Sequence, residues 1–248
     1  MNEYIKHIKD DKYRIAEEKR AAFKKADGVS GYRVSTVLKH SANKEDGDYG
    51  GLGNVMQVEA VINTTGLFDS HEDVHIPGLW DNSLSRPGLL YLLQEHEREF
   101  DHVISDEIEA SVVEKTWREL GADYEGNTQA LVFNATLHRG RNPYMFDQYL
   151  NGYVRNHSVG MRYVSLELCI NSEEKYYIDE KEAWDKYIGY VANREDVEAS
   201  GYFWAVTEAR IVEGSAVLFG SNWVTPTIDV QVKEVNEKSL LSRIGKIF

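Results

Sequence analysis

Ser158 and Gly160 stand two places apart in the stretch NGYVRNHSVGMRYV, residues 151–164. A serine on a strand offers a hydroxyl nucleophile, and a glycine beside it leaves room for a substrate backbone to approach. The hydroxyl is a weak nucleophile until a base takes its proton. His157 adjoins Ser158, but neighbouring strand residues point to opposite faces of a sheet. The base must therefore come from a distant segment. His96 and His102 are candidates, because an unperturbed imidazole titrates near neutral pH. A histidine that ends a helix also serves as a favourable charge at the C-terminal dipole. Glu213 lies in the apolar run ARIVEGSAV, where a carboxylate costs free energy unless it is paired. It either meets an arginine or orients a catalytic histidine.

A second chemistry is spelled by His71-Glu72-Asp73-Val74-His75, which satisfies H-E-x-x-H. In zinc peptidases a helix puts both histidines on one face with the glutamate beside them as base. Asp69-Ser70 would cap such a helix, but Pro77-Gly78 ends it about one turn later and almost no apolar face anchors it. The metallohydrolase alternative uses His71 and His75, with His96 or a carboxylate as third ligand. Cys169, the single cysteine, lies in an apolar run and reads as a small core residue.

These residues need a scaffold, and 248 residues with 42% hydrophobic content can bury a sizeable core. One cysteine excludes an internal disulfide. A net charge of −13 argues against a nucleic-acid groove. The N-terminus MNEYIKHIKDDKYR has no apolar signal region and no stretch approaches about eighteen apolar residues, so a soluble, cytoplasmically made protein is expected.

Residues 2–27 read as a charged helix with a thin stripe of Ile5, Ile8, Ile15 and Phe23. Strands are expected over Tyr32–Leu38, Asn54–Asn63 and Gln129–Leu137, and extended chain over His102–Val113 with a short helix or turn to Gly121. Between Asn63 and Pro87 the chain reads as irregular. Pro87 and the following leucines predict a helix ending near His96, and Asn142-Pro143 one that Gly152 stops. A helix around Ala183–Val191 precedes an apolar β run over Tyr202–Phe219, with a break near Val212-Glu213. The segment SLLSRIGKIF at the end is amphipathic. Many strands and several short helices without βαβ alternation predict an α+β protein built on a mainly antiparallel β-barrel.

Taken in order, the segments resemble the prohead (capsid maturation) serine proteases of tailed phages, which share a fold with the herpesvirus assembly proteases. The resemblance rests on Asp69, Asp73 and Gly78 before a histidine at LLQEH (92–96), on HSVGM (157–161), and on VEGSAVLFGSN (212–222). It covers about residues 30–228. It implies Ser158 as nucleophile, His96 as base and Glu213 as the acidic third member, with Glu208, Glu167 or another histidine as substitutes for Glu213. It also implies a charged arm over 1–29, a protease domain over 30–228 with an insertion at 173–203, and a tail over 229–248.

The substrates implied are scaffold and major-capsid-protein segments in a prohead in the host cytoplasm; cleavage of the protease's own termini and self-association stay open. No cofactor, metal, nucleic acid or membrane is implied. His157 departs from the family's usual aliphatic residue, Gly214 precedes the late serine, and Gly220-Ser221 stand where Pro-Ala is common. Besides the metallohydrolase, the alternative is a catalytically idle structural protein of the head.

Overall fold

The computed structural model describes residues 3–22, 53–86 and 88–233. The strand expected over Tyr32–Leu38, the glycine-rich stretch that follows it and the amphipathic end of the tail lie outside the described residues. The helices are α1 (Glu3–Asp10), α2 (Lys12–Ala21), α3 (Asp81–Leu84), α4 (Pro143–Leu150), α5 (Ile178–Tyr187) and α6 (Arg194–Ser200). The strands are β1 (Val55–Thr64), β2 (Asp73–His75), β3 (Leu92–Gln94), β4 (Val103–Ser105), β5 (Ile108–Thr116), β6 (Asn127–His138), β7 (Asn156–Ile170), β8 (Tyr202–Val217) and β9 (Thr227–Lys233).

This is an α+β protein with two sheets. One is antiparallel in the order β5-β6-β1-β9, and the other is mixed in the order β2-β8-β3-β4, with β7 also paired to β8. Among the described residues the strands do not close into the expected barrel. The two sheets instead bury their apolar faces in one core. In it Met56, Val58, Ala60 and Ile62 of β1 and Leu131, Phe133, Ala135 and Leu137 of β6 join Val159, Met161 and Tyr163 of β7. The alternation in β1 and β6 that predicts strands is the alternation that puts these side chains inward.

The helix expected from Pro87 to His96 is not there. Leu92 and Leu93 instead form β3, which runs parallel to β8 opposite Gly214 and Ser215. Both leucines are buried, and consecutive strand residues can both be buried only where each face of the sheet is covered. A run of adjacent leucines serves such a strand as well as a helix. The chain then reverses through Glu95 and His96, both with positive φ (51° and 61°). The Glu97 N–H donates to the Gln94 carbonyl at 3.0 Å. Two such φ values inside a closed four-residue turn are the pattern of a type I′ turn.

The expected break in the late β run is a bulge. β8 is continuous, but its register with β7 shifts where Gly160 faces Glu213 and Met161 faces Ile211, which leaves Val212 unpaired. The helix at Asn142-Pro143 forms as the sequence predicts: the Asn142 side chain accepts from the Met145 N–H at 3.0 Å, and Gly152 takes φ +69° after the last turn. The connection between β7 and β8 carries α5 and α6, which bury Trp184, Tyr187 and Val197 against Val74, Cys169 and Phe203. Cys169 is thus a core residue, its thiol pushed up chiefly by burial.

The charged N-terminal segment is two helices, not one, and it is docked. Ile5, Ile8 and Ala16 are buried, and Lys9 and Lys12 both meet the buried Glu180 of α5, Lys12 at 2.6 Å. Burial pushes the Glu180 carboxyl up, but the hydrogen bonds from Lys12 and Lys9 outweigh it and hold the group below its ordinary value. At the other end, β9 runs to Lys233 beside β1. The boundary expected at 228 therefore falls inside a strand.

Candidate active site

His96 follows β3 across the sheet from β8, and there it meets Glu213. Its Nδ1 lies 2.7 Å from Glu213 Oε1, and both side chains are almost fully buried. An ionised carboxylate only accepts, so Nδ1 carries the proton and the Nε2 lone pair is left for chemistry. Glu213 Oε2 accepts from Ser215 Oγ at 2.6 Å, and the same Oγ accepts from the His96 backbone N–H at 3.1 Å. The histidine is thus held at ring and backbone by one strand. Glu95 anchors the turn from the other side, its Oε1 accepting from the Leu218 N–H at 3.0 Å. Two non-glycine residues in the left-handed region are costly and persist only where such contacts hold them.

Ser158 belongs to the same face. In the antiparallel pairing of β7 with β8, Ser158 is the partner of Ser215, and Gly160 the partner of Glu213. Paired residues of an antiparallel ladder point to one side of the sheet, with Cβ atoms about 4.5–5.5 Å apart. Gly214 defines the opposite side. A Cβ there would lie 2.7 Å from Phe133 Cε2 and 3.1 Å from Ile62 Cγ2, inside the core between the sheets. The glycine beside Glu213 is therefore explained by packing under Phe133, and it leaves the outward placement of Glu213 undisturbed.

His157 faces inward, as alternation requires. Its Nδ1 donates to the Thr225 carbonyl at 3.1 Å and its Nε2 accepts from the Tyr149 hydroxyl at 2.9 Å. Burial holds the imidazole down at about 4. The departure from an aliphatic residue is a buried bridge between α4 and the chain after β8, and it places no second base at Ser158. Gly220 packs against this bridge, since a Cβ there would sit 2.9 Å from the His157 carbonyl oxygen.

The other sequence candidates lie elsewhere. His102 pairs with Asp101 at 3.0 Å near the surface. Glu208 accepts from Asn82 at 3.0 Å and stands opposite Ser165, well along the ribbon from Ser158. Glu167 accepts from the Tyr187 hydroxyl. Ser215 escaped the sequence reading as a member of the cluster. Its signal was its place two residues after Glu213 on a strand, which puts both on one face.

The H-E-x-x-H segment is not a helix. Glu72 has φ +61°, and Asp73–His75 form β2, parallel to β8. His75 is locked in a buried chain: Asn63 donates to its Nδ1 at 2.9 Å, and its Nε2 meets the Tyr163 hydroxyl at 3.2 Å. Tyr163 in turn donates to Asp73 Oδ2 at 2.8 Å, and Lys19 of α2 pairs with Oδ1 of the same carboxylate. His71, Asp69 and Asp73 offer ligand atoms within 4.8 Å of one another, one of two such sets among the described residues, the other being Glu99, Asp101 and His102. The Lys19 ammonium already answers Asp73. Asp69 is pushed above its ordinary value by burial, then by the neighbouring Asp73.

No protein-family model, curated protein or solved structure matches this chain.

What the arrangement can do is therefore read from its own groups. A carboxylate that orients an imidazole, on the sheet face of a strand serine that makes no hydrogen bond to that imidazole, offers the residue types for proton abstraction from a hydroxyl and acyl transfer.

Proposed function

We propose that the chain is a serine endopeptidase of the prohead maturation type, cleaving scaffold and capsid-protein segments in an assembling phage head in the host cytoplasm. The proposal includes a herpesvirus-assembly-protease-like fold. The observation that carries it is the 2.7 Å contact of His96 Nδ1 with Glu213, on the sheet face that Ser158 shares through its pairing with Ser215.

In this reading His96 Nε2 takes the Ser158 proton as Oγ attacks the scissile carbonyl. The imidazolium then returns that proton to the leaving amine as the C–N bond breaks, which leaves an acyl ester on Ser158. Water, deprotonated by His96, attacks the ester and releases the carboxylate product. Glu213 holds the tautomer and stabilises the imidazolium in both halves. The irregular Gly220-Ser221 segment, packed on the residue before Ser158, is the candidate source of backbone N–H groups for the oxyanion. Gly160, beside Ser158 on the same face, leaves the substrate chain room to approach.

The test is co-expression with the head proteins of the same source, comparing wild type with Ser158→Ala. All capsid and scaffold cleavage should be lost in the variant while soluble protein is retained. Unchanged cleavage would remove Ser158 as the nucleophile and overturn the reading.

A further inference from the structure

The same face of the β7–β8 ribbon carries a second feature beyond the catalytic cluster. Ser158, Gly160, Arg162 and Val164 follow one another at every second residue of β7, so their side chains project to one side. Arg162 is paired directly with Arg210 of β8, and both are exposed. Like charges opposite each other across a ladder are destabilising. Together with Arg86 they line a groove of about 510 Å³, which Leu89 and Val164, both exposed, share.

Among the described residues none of these three arginines makes an ion pair or a side-chain hydrogen bond. Exposed Arg155 and Arg194 make none either, so what marks this site is the direct facing of Arg162 and Arg210 across the ladder. The one carboxylate lining the groove, Glu208, accepts from Asn82 instead. Leu89 and Val212 also line the neighbouring cavity that reaches Glu213, while Ser158 lines a separate small cavity with Asn63, His75 and Asn222.

We propose that this groove binds an acidic, extended peptide segment, with carboxylates on Arg162 and Arg210 and an apolar side chain against Leu89 and Val164. Guanidinium groups recognise carboxylates in paired hydrogen bonds, and an acidic occupant removes the repulsion between the two arginines. If Ser158 is the nucleophile, as proposed above, the groove is a remote substrate subsite. Arg162 lies four residue steps along the strand from Ser158, about 13 Å, so the acidic residues selected lie several positions from the scissile bond. In that case the arginines determine which segments are cut and take no part in the chemistry.

The experiment is fluorescence anisotropy on the full chain with a fluorescein-labelled peptide of alternating glutamate and leucine, and with its glutamine counterpart. The glutamate peptide should bind wild type and Ser158→Ala equally, and more weakly as salt rises. Arg162→Gln with Arg210→Gln, or the change to the glutamine peptide, should weaken binding about tenfold or more. Arg162→Glu places opposite charges across the ladder, so it should melt no lower than wild type while losing the glutamate peptide; this separates lost binding from lost folding. Equal affinity for both peptides, or an affinity untouched in the double variant, overturns the proposal. So does no binding by wild type, including the case in which a segment of the chain itself covers the groove. Cleavage that persists in Ser158→Ala sinks the catalytic reading and leaves the groove standing. Unchanged peptide binding in the double variant does the reverse.

Discussion

At the scale of single residues, Glu213 and His157 show how one sheet separates two kinds of buried polar group. Glu213 accepts from His96 and Ser215 on the outward face, so Glu213→Gln keeps the shape and removes an acceptor-only partner. An amide can donate to Nδ1, so the imidazole tautomer is no longer fixed. We expect cleavage in the co-expression assay to slow about a thousandfold or more, with the melting temperature changed little. His157, on the inner face, is held neutral by burial, with its imidazole at about 4. The unfolded chain binds this proton at about 6.5, so between the two values the unfolded state holds more protons and stability rises with pH. The contribution is complete above about 6.5 and falls as pH drops toward 4, by about 3 kcal/mol. Asp69, raised by burial, contributes with the opposite sign: its stability is present at low pH and lost as pH rises through its folded value. The measurement is therefore urea unfolding against pH for wild type and His157→Gln, where the variant should show the shallower acid loss. A parallel pair of profiles would remove His157 as the cause.

At the scale of elements, the β8 strand does most of the positioning. It pairs with β7, β2 and β3, and through them it collects Ser158, His75 and His96. Its bulge at Val212 lets Ile211 stay inward while Glu213 turns outward. Gly214 is the residue on which this depends, because Phe133 fills the space beneath it. Gly214→Ala should cost about 1–3 kcal/mol by overpacking, seen as a lower denaturation midpoint. Phe133→Leu in the same chain should restore part of it by withdrawing the ring. If the alanine variant is as stable as wild type, the close contact of the two sheets at this point is wrong.

At the scale of the whole molecule, the N-terminal helices are wired into the interior. Lys19 of α2 meets Asp73, which is fully buried, and from there the chain of Tyr163, His75, Asn63 and Asn222 crosses to the segment after β8. Removing one partner of a buried pair leaves a charge without compensation. Lys19→Met should therefore destabilise the protein by about 3 kcal/mol. Lys19→Met combined with Asp73→Asn should cost clearly less than the sum of the two single changes, in a double-mutant cycle read by chemical denaturation. Additive losses would mean that the arm docks through its apolar residues alone. No helix among the described residues is long and apolar enough to cross a membrane.

Several features were legible from the sequence because they depend on neighbours along the chain. The period-two alternation of β1 and β6, the Asn142 cap and Gly152 stop of α4, and the opposite facing of His157 and Ser158 all follow from local geometry. Ser158, His96 and Glu213 were named together by the resemblance in the order of the motifs, and the helix at whose end His96 was expected is absent. Which of them meet was decided by pairing between segments far apart in sequence. Leu92 and Leu93 are a strand because β8 lies beside them, and no glycine or asparagine marks the turn that presents His96. The H-E-x-x-H spacing lost its helical meaning because β2 was drawn out along β8. Propensity is worth fractions of a kcal/mol per residue, whereas burial of one leucine is worth about 2 kcal/mol, so tertiary contacts overrode the local signal at the segment that carries the proposed base.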